Sequence, residues 1–187
     1  MAQLGIGRTL QGLGLFDNLT VRENVMVGTD HADRGRFVTA LLGLPGGTRR
    51  ERRIGTAADA LLRDLDLTSV ADRTPASLPY GVRKRVALAR ALISNPSLLL
   101  LDEPASGLSS SEMNELGDII RGLRGQCSVM LVEHHMDLVM SVTDEIAVLD
   151  FGRLIARGIP EQIKNDEAVT AAYLGEYVEE TDAGGVA

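Results

Sequence analysis

The stretch SLPYGVRKRVALARALISNPSLLLLDEPASGL, residues 77–108, decides how the chain is read. Its first half predicts a helix from Gly81 to Ser94, with Val86, Leu88, Ala89, Leu92 and Ile93 at helical spacing. Its second half changes period. Ser97-Leu-Leu-Leu-Leu-Asp102 is a short, continuous apolar run ending in an acid, the pattern of a strand buried on both faces of a parallel sheet. Asp102 then falls at the carboxyl end of that strand, where open α/β sheets bind ligands. It can hold Mg²⁺ there, and Glu103 beside it can polarise an attacking water. Two solvated acids opening a turn before Pro104 is the plainer reading of the same residues.

The residues just upstream have a matching character. Gly81 can let the backbone approach a ligand closely, and the helix behind it presents N-terminal amides and the positive end of its dipole to an anion. Arg83, Lys84, Arg85 and Arg90 add positive charge along it, although an ordinary amphipathic helix with solvated arginines reads the same way. Downstream, MLVEHHMDLV (130–139) predicts a second buried strand ending in Glu133, His134 and His135, so that a histidine can reach a ligand at the sheet's edge. No cysteine or third histidine stands at ligand spacing, which argues against zinc. Gln11 is a polar loop residue whose interest lies in its position ahead of the helices, and His31 is isolated.

Further out, Gly5 to Thr20 is punctuated by glycine and reads as loop. Thr20, with Glu23 three residues on, is a capping-box signature opening a helix. Residues 51–67 have apolar positions at helical spacing, and residues 109–125 read as a helix stopped by glycine. Residues 136–144 form a short helix, residues 145–158 a hairpin around Asp150-Phe-Gly152, and residues 160–178 are helical with Pro160 near their start. Strand–helix–strand alternation from residue 97 onward argues a parallel α/β sheet. Before it, residues 12–94 are mostly helical.

Composition narrows the function classes. At 187 residues and 44% hydrophobic, the chain can bury a core, and with 3% aromatics that core is Leu, Val, Ile and Ala. The net charge is −7, with six acids and no base from Asp166 to Ala187, so nothing calls for nucleic acid through bulk charge. A single cysteine, Cys127, excludes an internal disulfide and suits a reducing compartment. No apolar run approaches the roughly 18 residues of a spanning helix, so work at a membrane requires docking on a partner.

The order Gln11, LPYGV heading a basic helix, LLLLDEP, SGL and VEHH resembles the ATP-binding subunits of ABC transporters, from Gly5 to about Tyr177. GIGRTLQ…LFDNLTVRENVMVG, the arginine-rich insert at 34–53, the Tyr80-Gly81 pair and the ending AAYLGE look most like the branched-chain amino acid uptake branch. The resemblance implies a fold: a partial P-loop NTPase-like parallel α/β sheet with an inserted helical subdomain. It divides the chain into a core remnant at 1–11, the helical subdomain at 12–94, the ATPase core at 95–165, and an acidic C-terminal helix and tail at 166–187. It also implies roles. Gln11 senses Mg²⁺ and the transmembrane partner; Leu78 to Val82, including Tyr80 and Gly81, contact ATP on the opposite subunit; Asp102 holds Mg²⁺; Glu103 is the general base; Ser106 to Ser109 cross the dimer interface; His134 contacts the γ-phosphate. The implied partners are transmembrane permease subunits and a second ATP-binding subunit, at the cytoplasmic face of the plasma membrane.

The chain departs from the family's pattern in several places. A phosphate-cradling G-x-x-x-x-G-K-[ST] needs a lysine directly after glycine, and the only lysines, Lys84 and Lys164, follow Arg83 and Ile163. Pro79 and Val82 stand where the signature has serine and glutamine; Ser109 and His135 stand where acidic or amide residues are usual. The expectation is therefore an N-terminally truncated chain without the first strands and phosphate loop, inactive alone and poorly soluble through an unpaired strand edge. The other readings are a non-catalytic remnant that binds a full-length partner or permease, and a soluble ABC protein acting on ribosomes or DNA.

Overall fold

The computed structural model describes residues 4–9, 13–29 and 49–174. The chain divides into two compact units, Met1–Leu138 and Val139–Ala187. The first is α/β, as expected. Its sheet has three parallel strands in the order β1 (Ile6–Arg8), β2 (Leu98–Asp102) and β3 (Ser128–Val132), with Ile6 opposite Leu98 and Asp102 opposite Val132. Helix α1 spans Val21–Met26, α2 Arg49–Asp64, α3 Tyr80–Leu92 and α4 Ser110–Gly122. The short helix α5 (Met136–Val142) runs across the boundary between the units.

A helical core lies between β1 and β2 in sequence. Val21 and Val25 of α1, Ala58 and Leu62 of α2, Leu67, Leu78, and Val86 and Ala89 of α3 form one buried cluster. Each fully buried aliphatic side chain contributes about 1.5–3 kcal/mol. The capping box at α1 is present: Thr20 Oγ1 accepts from the Glu23 N–H, and the Glu23 carboxylate accepts from the Thr20 N–H at 2.7 Å. Asn24 is fully buried and ties the preceding loop to α1, donating to the carbonyls of Phe16, Leu19 and Thr20 and accepting from the Phe16 N–H. α1 also crosses α3 closely. A Cβ at Gly28 would stand 2.0 Å from the Arg90 carbonyl oxygen, so only glycine fits.

The second unit contains an antiparallel hairpin, β4 (Ile146–Asp150) and β5 (Arg153–Gly158), then α6 (Pro160–Lys164) and α7 (Glu167–Leu174). Phe151 and Gly152 form the two-residue turn with φ of 42° and 79°, the left-handed pair that matches strand twist.

Three expectations are corrected. The glycine-rich start is not all loop: Ile6–Arg8 pairs with β2, a tertiary contact that three residues do not announce. The helical stretch predicted from residue 160 breaks within its described part, 160–174, into two helices, because Asp166 Oδ1 accepts from the Val169 N–H and caps a new start. The third concerns burial. On β2, Leu99 and Leu101 are buried while Leu98 and Leu100 are half-buried, and β3 alternates so that Met130 and Val132 are 58% and 53% exposed. Among the described residues β3 pairs only with β2, which leaves its outward positions uncovered.

Candidate functional site

β2 delivers Asp102 to the carboxyl end of the sheet. Its side chain is 28% exposed and lies 3.6 Å from the Arg8 guanidinium at the end of β1. Glu103 follows with φ of 46°, a conformation that non-glycine residues avoid. Its N–H donates to the Val132 carbonyl at 2.9 Å, so the ladder to β3 runs one residue past the strand. This turn is braced from two sides. From α3, Lys84 Nζ donates to the carbonyls of Glu103 (3.3 Å) and Pro104 (2.7 Å). From the end of β3, Glu133 Oε1 accepts from the Ala105 N–H at 2.8 Å. Burial lowers the Lys84 pKa, against the opposing pull of Glu133 and Glu103.

Glu133 is the hub of this arrangement. Its side chain is fully buried, and its second oxygen accepts from the backbone N–H groups of His134 (2.9 Å) and His135 (3.3 Å) and pairs with His135 Nδ1 at 2.7 Å. Burial alone would raise its pKa. The His135 side chain and the three backbone donors outweigh that and hold the carboxyl below its ordinary range. The two imidazoles lie with centroids 4.2 Å apart. Candidate ligand atoms of Glu133, His134 and His135 come within 4.8 Å of one another. The Glu133 oxygens in that cluster are already engaged by N–H donors.

An open cleft lies beside this turn, among β2, α3 and α4. Gly81, Lys84, Asp102 and Glu103 line it, with Leu88, Leu101 and Leu116 supplying apolar walls. The sequence-predicted residues are thus only partly brought together. Gly81, Asp102 and Glu103 share the cleft; Tyr80 and His134 are outside its lining. Gln11 lies outside the described residues, as does His31. The Leu78 side chain is buried in the helical core. Gly81 stands against Glu112: a Cβ there would sit 2.1 Å from Oε1. Tyr80 packs over Gly107, with the Arg83 and Lys84 cations 5.5 and 5.3 Å from its ring centre.

Sequence reasoning missed Arg8, Lys84, Glu112 and Glu133 in these roles. Ser109 and Glu112 form a capping box on α4, with the Glu112 carboxylate accepting from the Ser109 N–H at 2.8 Å, and the S-x-x-E spacing was there to find. The backbone and side chain of Ser109, aided by Arg85, hold the Glu112 carboxyl below its ordinary range. Carboxylate oxygens are the donors a hard cation takes, so Asp102 suits Mg²⁺, with Arg8 turned aside for direct contact.

The family profile described as ABC transporter matches residues 2–106. A second, described as branched-chain amino acid ATP-binding cassette transporter, matches residues 153–179. The high-affinity branched-chain amino acid transport ATP-binding protein BraF of Pseudomonas aeruginosa is 38% identical over 178 residues, covering 94% of this chain and 70% of that protein. LivG of Escherichia coli, with the same description, is 37% identical over the same shares. Among solved structures, the MJ1267 ATP-binding cassette of an ABC transporter superposes with a TM-score of 0.75 at 26% identity, covering 92% of this chain and 69% of that one. The chain belongs to the ABC transporter family of ATP-binding proteins.

Proposed function

We propose that the chain is the ATP-binding subunit of an importer for branched-chain amino acids, working at the inner face of the membrane with permease subunits and a second ATP-binding subunit. The observation that carries this reading is the placement of Asp102 and Glu103 at the carboxyl end of β2, on a turn braced by Lys84 and Glu133. Its support is the likeness to BraF and LivG, whose names state that transport role. Asp102, with Gln11, would hold the Mg²⁺ of bound ATP, which would supply charge to offset the phosphate oxygens. Glu103 takes the proton of the attacking water, and His134 meets the terminal phosphate. Leu78, Tyr80 and Gly81 are offered to the nucleotide of the second subunit, Leu78 through its backbone. The division at 12–94, 95–165 and 166–187 into helical subdomain, ATPase core and acidic tail belongs to the same proposal.

These 187 residues hold no glycine–lysine pair, and Pro79 offers neither hydroxyl nor N–H to a phosphate. On their own they are expected not to turn over ATP. Clear Mg²⁺-dependent turnover by the purified chain, abolished by Glu103→Gln, would overturn that part. The same observations favour a second reading, a non-catalytic member that binds a full-length partner or permease. Intact mass of the protein isolated from its own cells separates the two. A mass above 20.0 kDa, with a G-x-x-x-x-G-K-[ST] peptide, is expected for the ATPase. A mass of 20.0 kDa favours the second reading.

A further inference from the structure

Directly after β3 the chain wraps around one carboxylate oxygen. The backbone N–H groups of His134 and His135 both point to Glu133 Oε2, at 2.9 and 3.3 Å. Their side chains come back to the same atom. His135 Nδ1 lies 2.7 Å from Oε2, and His134 Nδ1 lies 3.6 Å from it, too far for a hydrogen bond. Two imidazoles therefore present the same ring nitrogen to one buried oxygen, and three consecutive residues bring two nitrogens and an oxygen together.

We propose that Glu133, His134 and His135 form a site for a divalent transition-metal ion of the zinc type. Bonds of roughly 2.0–2.2 Å to nitrogen and oxygen set the donor atoms of a tetrahedral ion about 3.4 Å apart. The separations of 2.7 and 3.6 Å stand on either side of that value, so small side-chain rotations suffice. The ion takes the place of the hydrogen between His135 Nδ1 and Oε2, with the imidazole proton carried on Nε2, and the backbone donors to Glu133 stay where they are. Access is open on the imidazole side: the His134 and His135 side chains are 64% and 31% exposed, while that of Glu133 is fully buried. The carboxylate supplies the third donor that neither a cysteine nor a third histidine provides at this spacing. Two histidines and a glutamate make a donor set that zinc takes with a water in the fourth position. Imidazole nitrogen favours zinc, copper or nickel over Mg²⁺, which sets this site apart from the one at Asp102. The layout rests on residues 133–135 alone and is independent of the role proposed for His134 at the phosphate.

The test is calorimetric titration of the full chain, free of any affinity tag, with Zn²⁺ alone. One ion per chain is expected, undisturbed by a large excess of Mg²⁺. His135→Asp and His134→Ala are each expected to weaken binding by at least about tenfold. Cys127→Ser and His31→Ala, which remove the chain's only cysteine and its remaining histidine, are expected to leave it unchanged. Absence of Zn²⁺ binding, displacement by Mg²⁺, undiminished affinity in either His134→Ala or His135→Asp, or loss of binding in the Cys127 or His31 variant would overturn the proposal. If the His134 and His135 variants do not fold, the wild-type chain decides through the electron paramagnetic resonance of bound Cu²⁺. Splitting by two nitrogens is expected there, and splitting by one or none counts against the site.

Discussion

Glu133 is a buried carboxylate held by N–H donors on both oxygens. Replacing it by Gln puts an amide NH₂ where an acceptor is needed, so one backbone N–H is left facing a donor. The expected loss is about 1–3 kcal/mol in a urea titration at neutral pH. The sign with pH follows from the depressed carboxyl. Because the folded-state pKa lies below the unfolded one, the stability Glu133 contributes is full above the ordinary carboxylate value. It drains as pH falls from about 4 through the depressed value. The Gln chain should therefore show a shallower acid decline than wild type; parallel acid melts would count against this account. At Gly81, alanine must displace the Glu112 carboxylate and so undo the cap on α4, costing about 1 kcal/mol. In a double-mutant cycle with Glu112→Ala the two losses should not add, since both remove the same cap. Additive melts would mean that Gly81 answers to something else.

The elements show why some of the fold was legible and some was not. Capping at Thr20, the helices at α2 to α4 and the hairpin at Asp150-Phe-Gly152 were readable because each is a local pattern within one or two turns. β1 was not, because three residues become a strand only through pairing with β2, some ninety positions away. The site divides in the same way. Asp102 and Glu103 stand at a change of period that anyone can see, whereas Lys84 and Glu133 matter through backbone groups far from them in sequence. The hairpin allows a direct test. Phe151 occupies the left-handed region, carries a bulky side chain and is 84% exposed. Phe151→Asn supplies the residue that such a turn prefers, and is expected to raise stability by about 1 kcal/mol. An unchanged or lower melting temperature would show that the aromatic ring has a contact worth more than the strain.

For the molecule as a whole, solubility is where the described edges matter. β3 presents Met130 and Val132 on its outward face, and the second unit exposes Leu149, Phe151 and Leu154. Such strands invite pairing between chains, and a lysine on the edge is the usual remedy. Met130→Lys is expected to raise the monomeric fraction in size-exclusion chromatography without lowering the melting temperature; an unaltered elution profile would place the association elsewhere. The bracing of the turn after β2 has a different consequence. Residues 103–105 are held by Lys84 on one side and Glu133 on the other before any ligand arrives. Binding beside Asp102 thus spends nothing on ordering that backbone, where a loose turn would lose about 1–2 kcal/mol of conformational entropy per residue. And since Lys84 belongs to α3, a small rotation of that helix pulls directly on the carbonyls of Glu103 and Pro104, so the turn after β2 and the helix that carries Gly81 move as one lever.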